Sequence, residues 1–145
     1  MESGGCERDT ARAMSKENVE VVRTAYEAWN RGDLHWTLDH VTPDFEFRTT
    51  HLFPDTEDVY WGREGMKRFW KTFRGPWETL LIEVERIEPI DDRVLALLQF
   101  HGRGRNGLEV TLEYAHLFTV ENGMVALIVG FASWQEALEA AGLSE

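Results

Sequence analysis

With 145 residues, 43% of them hydrophobic, and a single cysteine, the chain has the length of one domain able to bury a core without disulfides. Fifteen Lys and Arg stand against 26 Asp and Glu, a formal charge of −11 that repels phosphate backbones and anionic lipid. No basic patch or membrane-length apolar run offsets it, so no nucleic-acid partner and no membrane is expected. Cys6 lies in the polar lead-in MESGGCERDTARAM, which has neither an apolar signal core nor a helical stripe. A cytoplasmic protein is therefore expected, with residues 1–14 as a flexible tail and residues 15–145 as one domain.

Val19, Val22, Tyr26 and Trp29 recur at helical spacing and draw one apolar stripe. Ser15 is suited to cap that helix, Gly32 to close it in the left-handed region, and Asp33 to cap a second helix running through Leu34, Leu38 and Val41 until Pro43 stops it. A strand is predicted from about Phe45 to Thr49, then a loop over His51–Gly62, rich in Pro, Asp and Gly. Met66, Phe69, Trp70 and Phe73 mark a third helix, broken by Gly75 and Pro76. From Leu80 the pattern turns to strands: 80–87, 93–104, 108–120 and 124–132. Asn106-Gly107 and Asn122-Gly123 fit two-residue type I′ hairpins. Ser133 with Glu136 three residues on forms a capping box for a last short helix ending at Gly142. Helices followed by strands read as α+β, with helices laid on one face of a curved, mainly antiparallel sheet.

Two-residue loops fix a register by counting outward. Gln99 then faces Tyr114, His101 faces Leu112, Phe118 faces Leu127 and His116 faces Val129. One sheet face so drawn carries Gln99, His101, Tyr114, His116, Phe118 and Phe131, and it is the bulkier partner for the helical stripes. The other face lacks strong polarity, which points to a homodimer through the outer sheet face. A bulge in any long strand would swap the faces beyond it.

His116 and His101 are candidate acids or bases on the presumed inner face, since imidazole titrates near neutrality. The competing explanation is that each is a histidine satisfied by one hydrogen bond in a sheet. Glu113 is the rival acid should the pocket lie on the other face. His51, Asp55, Asp58, Tyr60 and Trp61 occupy the loop beside the expected pocket mouth, and His51 is the one to test first. Tyr26, Trp29, Phe47, Phe69 and Phe73 are expected to wall a cavity, with ordinary core packing as the alternative for each. The five histidines show no HExxH or His-x-His spacing, so no metal is expected. Neither a phosphate loop nor a GxSxG elbow is present, and no cofactor is expected.

The run ENVEVVRTAYEAWNRGDL, the PDFEF strand, the YWGREGMKRFWKTF helix, the YAHLFTVENGMV hairpin and the ending QEALEAAGL resemble a SnoaL-like protein of the nuclear transport factor 2-like superfamily. That resemblance implies a cone-shaped fold, three helices on a strongly bent mixed sheet around a pocket. It leaves the activity open, because the scaffold hosts cyclases, isomerases, epoxide hydrolases, dehydratases and noncatalytic binders. In the steroid isomerases of this superfamily a tyrosine and an aspartate form an oxyanion hole beside an aspartate base. The corresponding positions here are Ala25 with Tyr26 beside it, His116 and Thr49, so no carboxylate is reproduced. The acids of the epoxide hydrolases are missing as well, where the last strand reads VGFAS. The resemblance thus implies a small hydrophobic organic ligand, handled either by cofactor-free acid/base chemistry or by binding alone.

Overall fold

The computed structural model describes the backbone of residues 3–49, 53 and 56–143, and side chains from Ser15 onward. Helix α1 spans Ser3–Asn30, so Ser15 lies inside it instead of capping it. Ala, Arg, Glu and Met in the lead-in are good helix formers, and a helix needs no apolar stripe to continue. Gly32, at φ 76°, closes α1 as expected, with Asp33 N–H donating back to the Ala28 carbonyl at 2.8 Å. Asp33 Oδ1 then accepts from Trp36 N–H at 2.9 Å and caps α2, Leu34–Asp39.

The second helix ends earlier than the apolar spacing implies. Val41 already belongs to β1, Val41–Arg48, because Val125 N–H reaches the His40 carbonyl at 2.7 Å and draws the chain into the sheet. Pro43 is accommodated inside β1, where the pairing is irregular between Val41 and Glu46. The expected loop over 51–62 includes a short edge strand, β2, Val59–Trp61, antiparallel to β1. Helix α3, Gly62–Arg74, follows, then β3 (Trp77–Ile90), β4 (Arg93–Gly104), β5 (Glu109–Glu121), β6 (Met124–Phe131) and α4 (Trp134–Ala140). The six strands form one curved sheet in the order β2-β1-β6-β5-β4-β3, with β1 and β6 parallel and the other neighbours antiparallel.

The two Asn-Gly pairs behave differently. Asn122 and Gly123 both have positive φ, 51° and 79°, and make the two-residue hairpin the sequence predicts. At the other turn Gly104 N–H bonds the Leu108 carbonyl, Gly107 N–H bonds the Gly104 carbonyl, and only Gly107 is left-handed. That is a longer loop, a turn followed by an αL glycine, and Asn106 serves it by accepting from Leu108 N–H at 3.0 Å through its side chain. The register shifts by one residue: Leu98 faces Tyr114, Gln99 faces Glu113 and His101 faces Thr111. A one-residue slip sends every side chain of a strand to the opposite face. Gln99 and His101 therefore lie on the outer face, which corrects their expected place beside His116. A second correction comes from an irregularity between Thr119 and Val120, after which Phe118 faces Ile128 and Ala115 faces Phe131. Phe131 is moved to the outer face with it.

Helices α1 and α3 cover the inner face, where the large core holds Tyr26, Trp29, Phe45, Phe100 and Phe118. Asn30 fastens α1 to β3 by exchanging two hydrogen bonds with the backbone of Ile82, at 2.8 and 2.9 Å. Arg74 fastens the end of α3 to α1, donating to the Trp29 carbonyl at 2.6 Å beneath the rings of Trp29 and Trp70. On the outer face a smaller cluster of Leu95, Ala115, Leu117, Ala137, Leu138 and Ala141 packs under α4, with Phe131 against it. Ser133 caps α4 as expected, accepting from Glu136 N–H at 3.1 Å. Among the described residues no helix is long and apolar enough to cross a membrane.

Candidate functional site

Alternation along β5 directs Tyr114, His116 and Phe118 to the inner face, beneath α1. His116 is flanked across the sheet by Ala96 on β4 and Gly130 on β6, two small neighbours that leave room for its ring. His116 is 9% exposed, and Phe47, Tyr114 and Phe118 surround its ring edge-on. Tyr26, one helical layer above, places its hydroxyl 2.6 Å from His116 Nδ1.

Burial decides the protonation states of this couple. It pulls the His116 pKa from 6.5 down to about 3, so the ring is neutral near neutral pH. It raises the Tyr26 phenol well above its ordinary value, with the nearby Tyr114 adding to the shift, and it raises Tyr114 also. If Tyr26 donates to Nδ1, Nε2–H is the one donor of the couple without a partner among the described residues. The opposite tautomer would leave both the phenol hydrogen and a ring lone pair unpaired, so the first arrangement is the one the geometry favours. Among the described residues the hydroxyl of Tyr114 and the indole N–H of Trp29 are buried donors without partners. Unpaired buried donors cost about 1–3 kcal/mol each, a cost a ligand acceptor would remove.

These groups line a cavity of about 80 Å³ between the helices and the sheet. Its walls include Tyr26, Trp29, Phe47, Met66, Phe69, Phe73, Tyr114, His116 and Phe118, and Thr49 is also present. Several lining residues keep partial exposure, Trp36, His40, Phe53 and Thr56 among them, so the cavity approaches solvent beside α2. Among the described residues no carboxylate lines the cavity, and no group of His, Cys, Asp or Glu is arranged to hold a metal ion.

The other sequence candidates lie elsewhere. Tyr60 is wholly buried in the core, its hydroxyl accepting from Glu57 N–H at 2.9 Å, and it does not line the cavity. Trp61 alternates to the other side of the short β2 strand and is 60% exposed. His101 sits on the outer face with Nε2 3.0 Å from Glu83. Gln99 faces the exposed Glu113, and Phe131 supports α4. Glu113 is no pocket acid either; it crowds Glu85, whose carboxyl is raised by desolvation and by that like charge. His51 and Asp55 lie outside the described residues. Sequence reasoning passed over Trp36, Thr37 and His40 as lining residues. The available signal was Trp36 and His40 four apart on one short helix, a spacing that stacks side chains.

A model of the SnoaL-like domain matches residues 22–128. No curated protein matches the sequence. Among solved structures, TerC co-crystallised with polyporic acid is similar at a TM-score of 0.72 and 17% identity, over 87% of this chain and 98% of that one. An NTF2-like protein of Burkholderia pseudomallei K96243 aligns at 0.71 and 21%, over 85% and 95%. An LEH-like epoxide hydrolase of M. tuberculosis aligns at 0.68 and 15%, over 82% and 84%. At these identities the likeness is one of fold.

Proposed function

The chain belongs to the SnoaL-like domain family, and from that membership we propose that its cavity binds a small hydrophobic organic molecule and, without a cofactor, moves protons on it, as in cyclisation, isomerisation or dehydration. The observation that carries the reading is the Tyr26–His116 couple beside the unpaired Tyr114 hydroxyl, inside a wall of aromatic rings. Donors without acceptors suit a ligand that brings acceptor oxygens, such as a carbonyl, to an otherwise apolar surface. His116, neutral and presenting Nε2–H, acts in this reading as a hydrogen-bond donor or acid towards that oxygen, with Tyr114 beside it. His51 remains a candidate from the segment after β1. Similar structures carrying polyporic acid in one case and an epoxide hydrolase activity in another make a small-molecule role the natural one for this scaffold.

The experiment is a binding comparison of 1,4-naphthoquinone with naphthalene, read by quenching of tryptophan fluorescence. The quinone should bind about tenfold more tightly, the worth of one net hydrogen bond, and Tyr114→Phe or His116→Gln should narrow the gap. Equal affinities in all three proteins would remove the donors from the site. A noncatalytic binding module is the second reading, favoured by the lack of any carboxylate among the described lining residues. A cytoplasmic location and a homodimer through the outer sheet face belong to the same proposal. Leu97, Leu127 and Val129 support the dimer, being half-buried and belonging to neither core cluster. Light scattering at micromolar concentration tests it, and a monomer would end it.

A further inference from the structure

We propose that His40 is the proton acceptor of this cavity, with Nε2 as the basic atom and His116 as its hydrogen-donating counterpart. The inference rests on the pocket reading above and adds to it a residue outside the Tyr26–His116 couple.

Three contacts hold His40. Its Nδ1 lies 2.7 Å from the Trp36 carbonyl oxygen, which can only accept, so Nδ1 carries the hydrogen and the neutral ring has its lone pair on Nε2. Its ring lies flat on the Trp36 indole, centroids 3.8 Å apart and planes 10° from parallel. Its own carbonyl accepts from Val125 N–H, which ties the backbone to β6. Nε2 is left without a hydrogen-bond partner among the described residues, and His40 is a half-buried residue of the cavity lining. The neighbouring carboxylate, Asp39, is engaged by His35 at 3.2 Å. Thr37, which also lines the cavity, spends its hydroxyl on the Asp33 carbonyl.

The two lining imidazoles are therefore opposite tautomers. In His116 the Nδ1 lone pair is consumed by Tyr26, which leaves a donor; in His40 the Nδ1 hydrogen is consumed by Trp36, which leaves an acceptor. A ring so oriented by a second group is how a general base is prepared. A proton leaving carbon would pass to His40 Nε2 while negative charge growing on oxygen met His116 Nε2–H and the Tyr114 hydroxyl.

The probe is 5-nitrobenzisoxazole, a flat apolar ring that reports a base directly. Nε2 takes the C3 proton, the C–H electron pair becomes part of the C≡N bond, and the N–O bond breaks to release the coloured 2-cyano-4-nitrophenolate. Wild type should exceed the rate of free imidazole at equal concentration. His40→Ala should lose about a hundredfold or more, and added imidazole should restore part of it. His40→Asn keeps an N–H for the Trp36 carbonyl while removing the base, so it should be equally inactive with an unchanged melting temperature. Inhibition by 1,4-naphthoquinone separates the two readings. Turnover that the quinone inhibits but that survives both His40 substitutions overturns the base assignment alone, as does quinone binding without any wild-type turnover. Neither binding nor turnover overturns the pocket reading and His40 together.

Discussion

Two histidines fifteen residues apart, on adjacent strands of one sheet, live under opposite physics. His116, on the inner face, is buried among rings, held by Tyr26 and neutral; His101, on the outer face, is half-exposed and meets Glu83 in solvent. The same contrast runs through the β4–β5 pair, where Phe100 is fully buried among Phe53, Phe73 and Trp77 while its neighbour Gln99 looks out at Glu113. What separates them is strand parity, not residue type. A side chain acquires chemical character from the face it is sent to, and one residue of hairpin register decides the face.

The contrast can be broken most forcefully at its apolar end. Phe100→Ala should cost about 3–5 kcal/mol in denaturant unfolding, whereas Gln99→Ala should stay within about 0.5 kcal/mol. Similar losses at both positions would mean that the observed register is wrong. Acid should come next. His116 has its pKa at about 3 when folded against 6.5 in the free chain, so between these values the unfolded state binds the extra proton. Stability should fall as the pH drops below that upper value, by at most about 1.4 kcal/mol per unit from this group. His116→Gln should flatten that part of the curve, and a slope unaltered by the substitution would show that the imidazole is not buried neutral.

The two tyrosines of the site sharpen the comparison within one face. Tyr26→Phe strips Nδ1 of its donor and should destabilise by about 1–3 kcal/mol. Tyr114→Phe removes a hydroxyl that has no partner among the described residues and should be neutral or slightly stabilising, which thermal melting of the pair would read directly. A small effect is also expected at the outer histidine: His101→Ala ends an exposed contact with Glu83 worth at most about 1 kcal/mol, and less in high salt.

Much of the fold could be read without coordinates, because its signals are local. The stripe of Tyr26 and Trp29, the glycine closing α1, the Asp33 and Ser133 caps and the αL requirement at Asn122-Gly123 each depend on a few consecutive residues. The ring-bearing stripes of α1 and α3 were legible for the same reason, whereas the place of His116 beneath them rests on pairing between distant strands. His101, Gln99 and Phe131 were misplaced because their positions depend on a loop one residue longer than its Asn-Gly suggests and on a bulge near Thr119. Asn-Gly serves both loops well, so no local preference could choose between them. Trp36 and His40 went unnoticed because a short helix carries little periodic signal, and their role depends on where α2 docks.

By itself, then, the amino-acid order determined where most of the helices stop, that most of the remainder is a meander of strands, and that the interior is rich in rings. Those outcomes follow from backbone propensity, capping and periodicity, which act over a turn or two of chain. Only the tertiary structure decided which histidines share a cavity, which phenol holds which imidazole, and which donors are left without acceptors. These are consequences of pairing between residues as much as ninety positions apart, and a single step of register inverts them.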